Sequence, residues 1–401
     1  MPVIGEQQET TTPPLSGVRI LDLTRLLPGP YATMILADLG AEVIKIEEPS
    51  TGDPARYLPP ISGDTGTVFL IVNRNKKSLT LNLKDPRGVR IFHQLAGTAD
   101  VIVEGFRPGT TDRLGIGYAT IEKLNPRIIY CSITGYGQTG PYRHRAGHDI
   151  TYTALAGVLG LTSDTRGDPI VPGVLLADLG GALAAAIAIL AALIARERQG
   201  RGQYIDLSLH HAAFSFALLG LASVLAGEEF PVGAKHPLSG GFPWYTLYRT
   251  QDGKFLAVGA LEPKFWRRLC EVLGREDLAG KPVSDPSEAA MVREQLQALF
   301  LSKPLAEWLH HLSSHDVCVE PVLSVSEAMT HPQAEHRQVT TEVRQSDGRT
   351  LAQPTPPYRL SATPAGIRRP APRLGQDTAA LLHALGYSQQ DLAQLQEAGI
   401  I

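Results

Sequence analysis

Short β-branched runs alternate with stretches of helical spacing through the first half of the chain. Val18–Leu23, Glu42–Ile46, Ser78–Leu83, Val101–Glu104 and Ile128–Ile133 read as strands, and Tyr31–Leu39 and Pro86–Leu95 as helices between them. Asp85 stands in place as the N-cap of the second helix, with Pro86 at its first position. Parallel strands joined by crossover helices give this alternation, and the pattern predicts an α/β fold built on a Rossmann-like, doubly wound parallel sheet. Leu179–Ala195 is an apolar run of 17 residues, short of the roughly 20 that span a bilayer. It predicts a buried helix, ended by the basic, glycine-stopped RERQGRG.

Tyr204–Leu209 then reads as a further strand and Ala212–Leu225 as an apolar helix leaving the first domain. From Gly240 the texture changes: Trp244–Arg249 and Lys254–Val258 flank the turn TQDG as a β-hairpin, followed by helical patterns around Phe265–Leu273, Ala289–Leu301 and Leu305–Leu312. The expected organisation is a flexible tail over 1–14, a large domain over 15–210, a linker helix over 211–227, a smaller α+β domain over 228–330 and a C-terminal segment over 331–401. The proline-rich stretch His331–Arg373 reads as an extended wrap. Two short helices, Asp377–Leu385 and Ser388–Glu397, return the chain to the large domain.

Charge and cysteine usage narrow the partners. The chain has 37 basic and 40 acidic side chains in 401 residues, a formal net charge of -3, so no global positive field exists to hold nucleic acid or an anionic membrane. A polyanionic ligand therefore needs a local basic patch. Arg74, Lys76 and Lys77 cluster in NRNKKS, with Lys45, Arg56 and Arg107 near other strand ends; together on the sheet's C-terminal edge they would neutralise phosphates. The three cysteines, Cys131, Cys270 and Cys318, are far apart, which disfavours a disulfide framework and fits a reducing, cytoplasmic setting. No secretory leader is legible in the polar start of the chain.

Gly135-x-Gly137-x-x-Gly140 matches the dinucleotide fingerprint by letter, but no helical pattern follows it and no acidic residue ends a strand about 20 positions later. It reads as a glycine turn at a strand's C-terminal edge, where ligands of such sheets bind. His311-x-x-x-His315 lacks the glutamate and third ligand of a zinc helix, so no metal site is expected. More informative is Gly147-His148-Asp149, followed thirty residues on by Asp178 in ADLGG, where the long helix begins. A carboxylate at a helix N-terminus can stay ionised at neutral pH, although an N-cap role would equally place an aspartate there. Gly180 and Gly181 would leave space beside it. Glu262, directly before Pro263, stands where an N-cap is expected, yet Glu is a poor cap and could instead partner a histidine.

These residues resemble the family III CoA-transferase superfamily, the carnitine/bile-acid (CaiB/BaiF) type, from Leu15 to about residue 387. The motifs that carry the likeness are LSGVRILDLTRLLPGPYATMILADLGAEVIKIE, NRNKKSLTLNLK, VIVEGFRPG, SITGYGQTGPYRHRAGHDITY, ADLGGA and RQGRGQYIDLSL. Two chemistries share the scaffold: in the transferases the helix-start aspartate, here Asp178, attacks an acyl-CoA thioester, and in the α-methylacyl-CoA racemases it works opposite a histidine across the α-carbon. GHDITY, GALEPKFW and GGFPWYTLY resemble the racemase branch, while the tail GQDTAALLHALGYSQQDLAQLQEAGII is common among transferases. The resemblance therefore implies an epimerase of 2-methyl-branched acyl-CoA thioesters with His148 and Asp178 as the acid-base pair and Glu262 orienting His148. A CoA-transferase with Asp178 as nucleophile is the alternative. Backbone N–H groups at the helix start after Asp178 would receive the enolate oxygen. Coenzyme A, part of the substrate and the only cofactor implied, would be held around Lys45, Arg56, Asn73, Arg74, Lys76, Arg107, Gly135 and Tyr152. An interlocked homodimer is also implied, with the site between the large domain of one subunit and the small domain of the other.

Overall fold

The computed structural model describes residues 12–233, 235–280 and 285–401; most of the expected tail, 1–11, lies outside them. The chain divides into two compact units. The first comprises Met1–Ala156, Gly173–Phe216 and Gln333–Ile401, and the second Gly157–Pro172 and Ala217–Pro332. The segment Gly157–Pro172, which the sequence assigns to the large domain, thus clusters with the second unit.

The first unit is built on β1 (Arg19–Leu23), β2 (Glu42–Glu47), β3 (Lys76–Thr80), β4 (Val101–Glu104), β5 (Ile129–Thr134) and β6 (Gln203–Ser208). All neighbours pair parallel in the order β3-β2-β1-β4-β5-β6. Ile20 of β1 faces Val43 on one side and Val101 on the other. The connections reverse direction between β1 and β4, which opens a crevice at their C-terminal ends, the place where doubly wound sheets bind ligands.

Helix α1 (Pro28–Asp38) follows β1, α2 (Pro86–Ala96) follows β3, and α3 (Asp149–Leu155), α4 (Leu176–Gln199) and α5 (Leu209–Phe214) complete the layers used by the site. Asp85 caps α2 as expected, accepting the Arg87 N–H. On one face of the sheet Ile91, Phe92 and Leu95 of α2 pack with Leu21, Ile44 and Ile102; Leu382, Leu392 and Leu395 of the C-terminal helices, and Ile400 just after them, join the same cluster. Helix α4 packs against α1 and α5 through Ala, Gly and Ile positions. With its mean hydropathy of 2.2, α4 is also long and apolar enough to cross a membrane, but half of that window is buried inside the fold.

Three sequence expectations shift. The third strand starts at Lys76, two residues before the predicted Ser78, because the Lys76 ammonium is buried in an ion pair with Asp22. The apolar helix predicted over Ala212–Leu225 is broken by a 3-10 turn at Ser215–Ala217 into Leu209–Phe214 and Leu218–Leu225. The stretch His331–Arg373, read as an extended wrap, contains an antiparallel hairpin of Thr340–Arg344 with Thr350–Pro354.

The second unit holds β7 (Tyr245–Arg249), β8 (Phe255–Gly259) and β9 (Val319–Pro321), antiparallel in the order β9-β8-β7. Gly253, at φ +79°, closes the predicted hairpin turn. Helices α6 (Pro263–Val272), α7 (Pro286–Phe300) and α8 (Leu305–Leu312) cover the sheet around Tyr248, Trp266, Leu296, Phe300 and Trp308.

Candidate active site

A cavity of ≈ 340 Å³ opens at the C-terminal ends of β1, β4 and β5, lined among others by Arg25, Phe106, Gly135, His148, Tyr152 and Asp178. The sheet's reversal creates the crevice, and the glycine-rich loops after β5 and before α3 allow side chains to meet there. Tyr152 shows how closely those loops approach: a Cβ on Gly135 or Gly147 would come within 2.6 and 2.5 Å of its ring. Its hydroxyl donates to Gly147 O at 2.7 Å. Burial, with Tyr136 and Asp178 adding to it, pushes the phenol up to about 12, so it stays a neutral donor.

Asp178 occupies the third residue of α4, not its cap. The capping work belongs to Asp149: its Oδ1 accepts from the N–H groups of Ala177 (2.7 Å) and Asp178 (3.0 Å). This frees the Asp178 carboxylate, which accepts no hydrogen bond among the described residues. Burial, and then the neighbouring charge of Asp149, push its carboxyl up to about 6, with His148 working the other way. The helix terminus therefore does not keep this acid at an ordinary carboxylate value; a poised, under-solvated carboxylate results. His148 is the N-cap residue of α3 and lines the same cavity.

Two expectations around Asp178 are corrected. Gly180 and Gly181 do not leave space beside it: a Cβ on either would come within 2.3 Å of Phe216 or Leu209, so these glycines serve close packing of α4. Nor are the peptide donors of the helix start open to an oxyanion. Ala177 and Asp178 donate to Asp149, and Leu179 donates to Leu175 O.

The expected basic edge is largely internal. Lys45 pairs with Asp53 at 2.8 Å, Lys76 with Asp22 at 3.0 Å, Arg74 with Asp38 at 2.7 Å and Arg56 with Glu47 at 2.7 Å, all buried. Asn73 is buried as well and accepts from Lys76 Nζ. Burying a cation requires such a partner, and none of these five residues lines the cavity with Asp178. Burial opposes the charges, yet Asp22, Asp53 and Glu47 hold Lys45 above its ordinary value, whereas Lys76 falls to about 8.

Of the expected binding cations, Arg107 does line the cavity, and sequence reasoning missed three more: Arg25, Arg143 and Arg145. Arg145 stacks over the Tyr142 ring at 3.9 Å and Arg25 stands 5.7 Å from the Phe106 centroid. For Arg143 and Arg145, their clustering in RHR after the glycine turn was the available signal. A second cavity of ≈ 570 Å³ shares Arg25 and Phe106 with the first and is walled by Leu81, Leu83 and Leu114, with Lys84 and Arg113 among its cations.

No helix opens on the Gly135–Gly140 turn, whose Gln138 N–H donates to Asp206. His311 binds Val272 O and His315 meets Arg268; among the described residues no three potential ligands group around a metal position. Glu262 belongs to the second unit, at the N-cap of α6, where its exposed side chain makes no capping hydrogen bond.

The model of CoA-transferase family III matches residues 15–378. The chain belongs to CoA-transferase family III. This family III chain is 38% identical over 400 residues to the succinyl-CoA:glutarate CoA-transferase of Mus musculus, covering 97% of this chain and 90% of that protein. It is 36% identical over 390 residues to the α-methylacyl-CoA racemase of Mus musculus, covering 96% and 97%. The crystal structure of a CAIB/BAIF family protein from Brucella suis superposes with a TM-score of 0.83 at 29% identity, over 94% of this chain and 100% of that one. The six-stranded parallel sheet is thus the sheet of a CaiB/BaiF-type fold.

Proposed function

We propose that this family III enzyme is a CoA-transferase that moves coenzyme A from an acyl-CoA donor to a dicarboxylic acid, with Asp178 as the nucleophile. The observation that carries this reading is the unbonded Asp178 carboxylate, poised at about 6, in a cavity lined by Arg25, Arg107, Arg143 and Arg145. A carboxylate nucleophile needs few hydrogen bonds and little water around it, and guanidinium groups attract and orient a dianionic acceptor. The motifs GHDITY, GALEPKFW and GGFPWYTLY point to epimerisation; the match to a succinyl-CoA:glutarate CoA-transferase and the arginine-rich wall support transfer better.

The steps balance without a further reagent. Asp178 attacks the thioester carbonyl, giving an acyl-aspartyl anhydride and CoA thiolate. The thiolate attacks the aspartyl carbonyl, releasing the donor acid and leaving an aspartyl-CoA thioester. The acceptor carboxylate attacks that thioester, and the freed thiolate takes the new acyl group from the second anhydride, restoring Asp178. The nucleotide end of coenzyme A would lie in the second cavity, where Lys84, Arg113 and Arg25 are the cations available to its phosphates beside the carboxylates of Glu47, Glu48 and Asp53, and the leucine wall is available to its base.

A racemase reading keeps one observation in its favour, the presence of His148 in the cavity with Asp178. Trapping separates the two. Succinyl-CoA mixed with the enzyme and quenched with hydroxylamine should convert Asp178 to its hydroxamate, seen by peptide mass spectrometry, and Asp178→Asn should abolish both adduct and turnover. Full turnover without any adduct would contradict the proposal.

A further inference from the structure

We infer that the buried Lys45–Asp53 ion pair is a positioning device for Arg25, the cation shared by the two cavities of the site; this deepens the reading that the chain binds a CoA thioester. Arg25 lines both the Asp178 cavity and the leucine-walled one. It lies in the β1–α1 loop, and the peptide groups on either side of its Cα are both pinned by this one pair. Lys45 Nζ donates to Thr24 O at 2.9 Å, and Asp53 Oδ1 accepts the Leu26 N–H at 3.0 Å. The two side chains meet at 2.8 Å and are completely buried. Asp53 Oδ1 also receives the Ala55 N–H, tying the loop to the chain after β2.

The loop needs such a hold, because Leu26 has φ +68°. A leucine rarely adopts the left-handed region, and it stays there only where its surroundings determine it. Thr24 is fixed from its other side as well, its N–H and hydroxyl both donating to Asp22 Oδ1 at 2.9 and 2.5 Å, while Asp22 in turn meets Lys76 at 3.0 Å. Two buried cations that read as phosphate ligands in sequence are thus spent on the main chain that presents a third, exposed one. Lys45 lines neither cavity; Asp53 borders the leucine-walled one, but its completely buried carboxylate is spent on Lys45 and the loop's peptide groups, so the pair acts through Arg25.

The test compares affinity for free coenzyme A, by calorimetry, with kcat and KM in a transfer assay. Arg25→Ala should weaken coenzyme A binding about tenfold, the effect of losing one charge-assisted contact. Asp53→Ala should do the same, raising KM while kcat stays within about threefold, since the arginine is displaced and the nucleophile is not. Arg25→Ala combined with Asp53→Ala should be no worse than Arg25→Ala alone. Leu26→Gly should restore most of the affinity lost in Asp53→Ala, because glycine holds positive φ without strain. Should Asp53→Ala not fold, Leu26→Val carries the test: Leu26 is 40% exposed, and a β-branched residue resists this backbone geometry. Unchanged coenzyme A affinity in folded Leu26→Val or Asp53→Ala would overturn the positioning role. Failure of the unmodified protein to bind coenzyme A would overturn the functional reading with it.

Discussion

Asp149 and Asp178 lie on different helices joined by a hydrogen-bonded cap, and their division of labour decides what the site can do. Asp149 spends its carboxylate on the N–H groups of Ala177 and Asp178. Asp178 spends none, and burial together with the charge of Asp149 lifts it to about 6. Because transfer needs the ionised form, kcat/KM should rise with pH through about 6 and level off above it. Asp149→Asn keeps an acceptor for the two N–H groups but removes a negative charge beside Asp178. Its acidic limb should therefore move to lower pH, and an unmoved limb would contradict the coupling. His148 and Asp178 were legible as a pair from GHD and ADLGG. The cap was not, since the partner that frees Asp178 lies 29 residues away in sequence.

The loop between β1 and α1 shows at the level of elements how tightly the site is braced. Gly29 lies in the first turn of α1, where alanine would ordinarily gain helix propensity. Here its Cβ would come 2.2 Å from Thr24 Cβ, and Thr24 is buried and anchored by Asp22. Gly29→Ala should accordingly destabilise the fold by about 1–3 kcal/mol, as overpacking does, measured by denaturant unfolding; a neutral or stabilising effect would show the loop to be softer than argued. The strands themselves were legible because their β-branched runs sit between helical patterns, and α2 because its cap is local. The charged positions were misread because their partners are distant. Arg74 and Lys76 reach Asp38 and Asp22 across 36 and 54 residues, and only an aspartate inside the apolar run RILDL hinted that an internal cation was needed.

At the scale of the whole molecule, α4 presents Leu183, Ile187 and Ile194 on its surface, the central one 66% exposed. An unbroken apolar stripe of this kind favours a covered state, and the homodimer proposed from the family resemblance supplies a cover. Ile187→Asp should shift the protein from dimer to monomer in light scattering; a dimer unaffected by that charge would remove α4 from the interface. Glu262 belongs to this scale too, since its unit is separate from the one that carries Asp178. The parallel, doubly wound sheet was readable because it follows from local pattern and chain order. The balance between transfer and epimerisation was not, because the arginines that support the proposed transfer, Arg25, Arg107, Arg143 and Arg145, come from separate parts of the sequence and meet only in the folded cavity. The most direct measurement is to supply succinyl-CoA and glutarate to the protein in D₂O, with a 2-methylacyl-CoA in a parallel reaction, and to follow all thioesters by mass spectrometry. The account predicts glutaryl-CoA formation that vanishes in Asp178→Asn, with no deuterium gained at the α-carbon of the branched thioester. Deuterium uptake with loss of configuration, and no exchange of coenzyme A between acids, would contradict it.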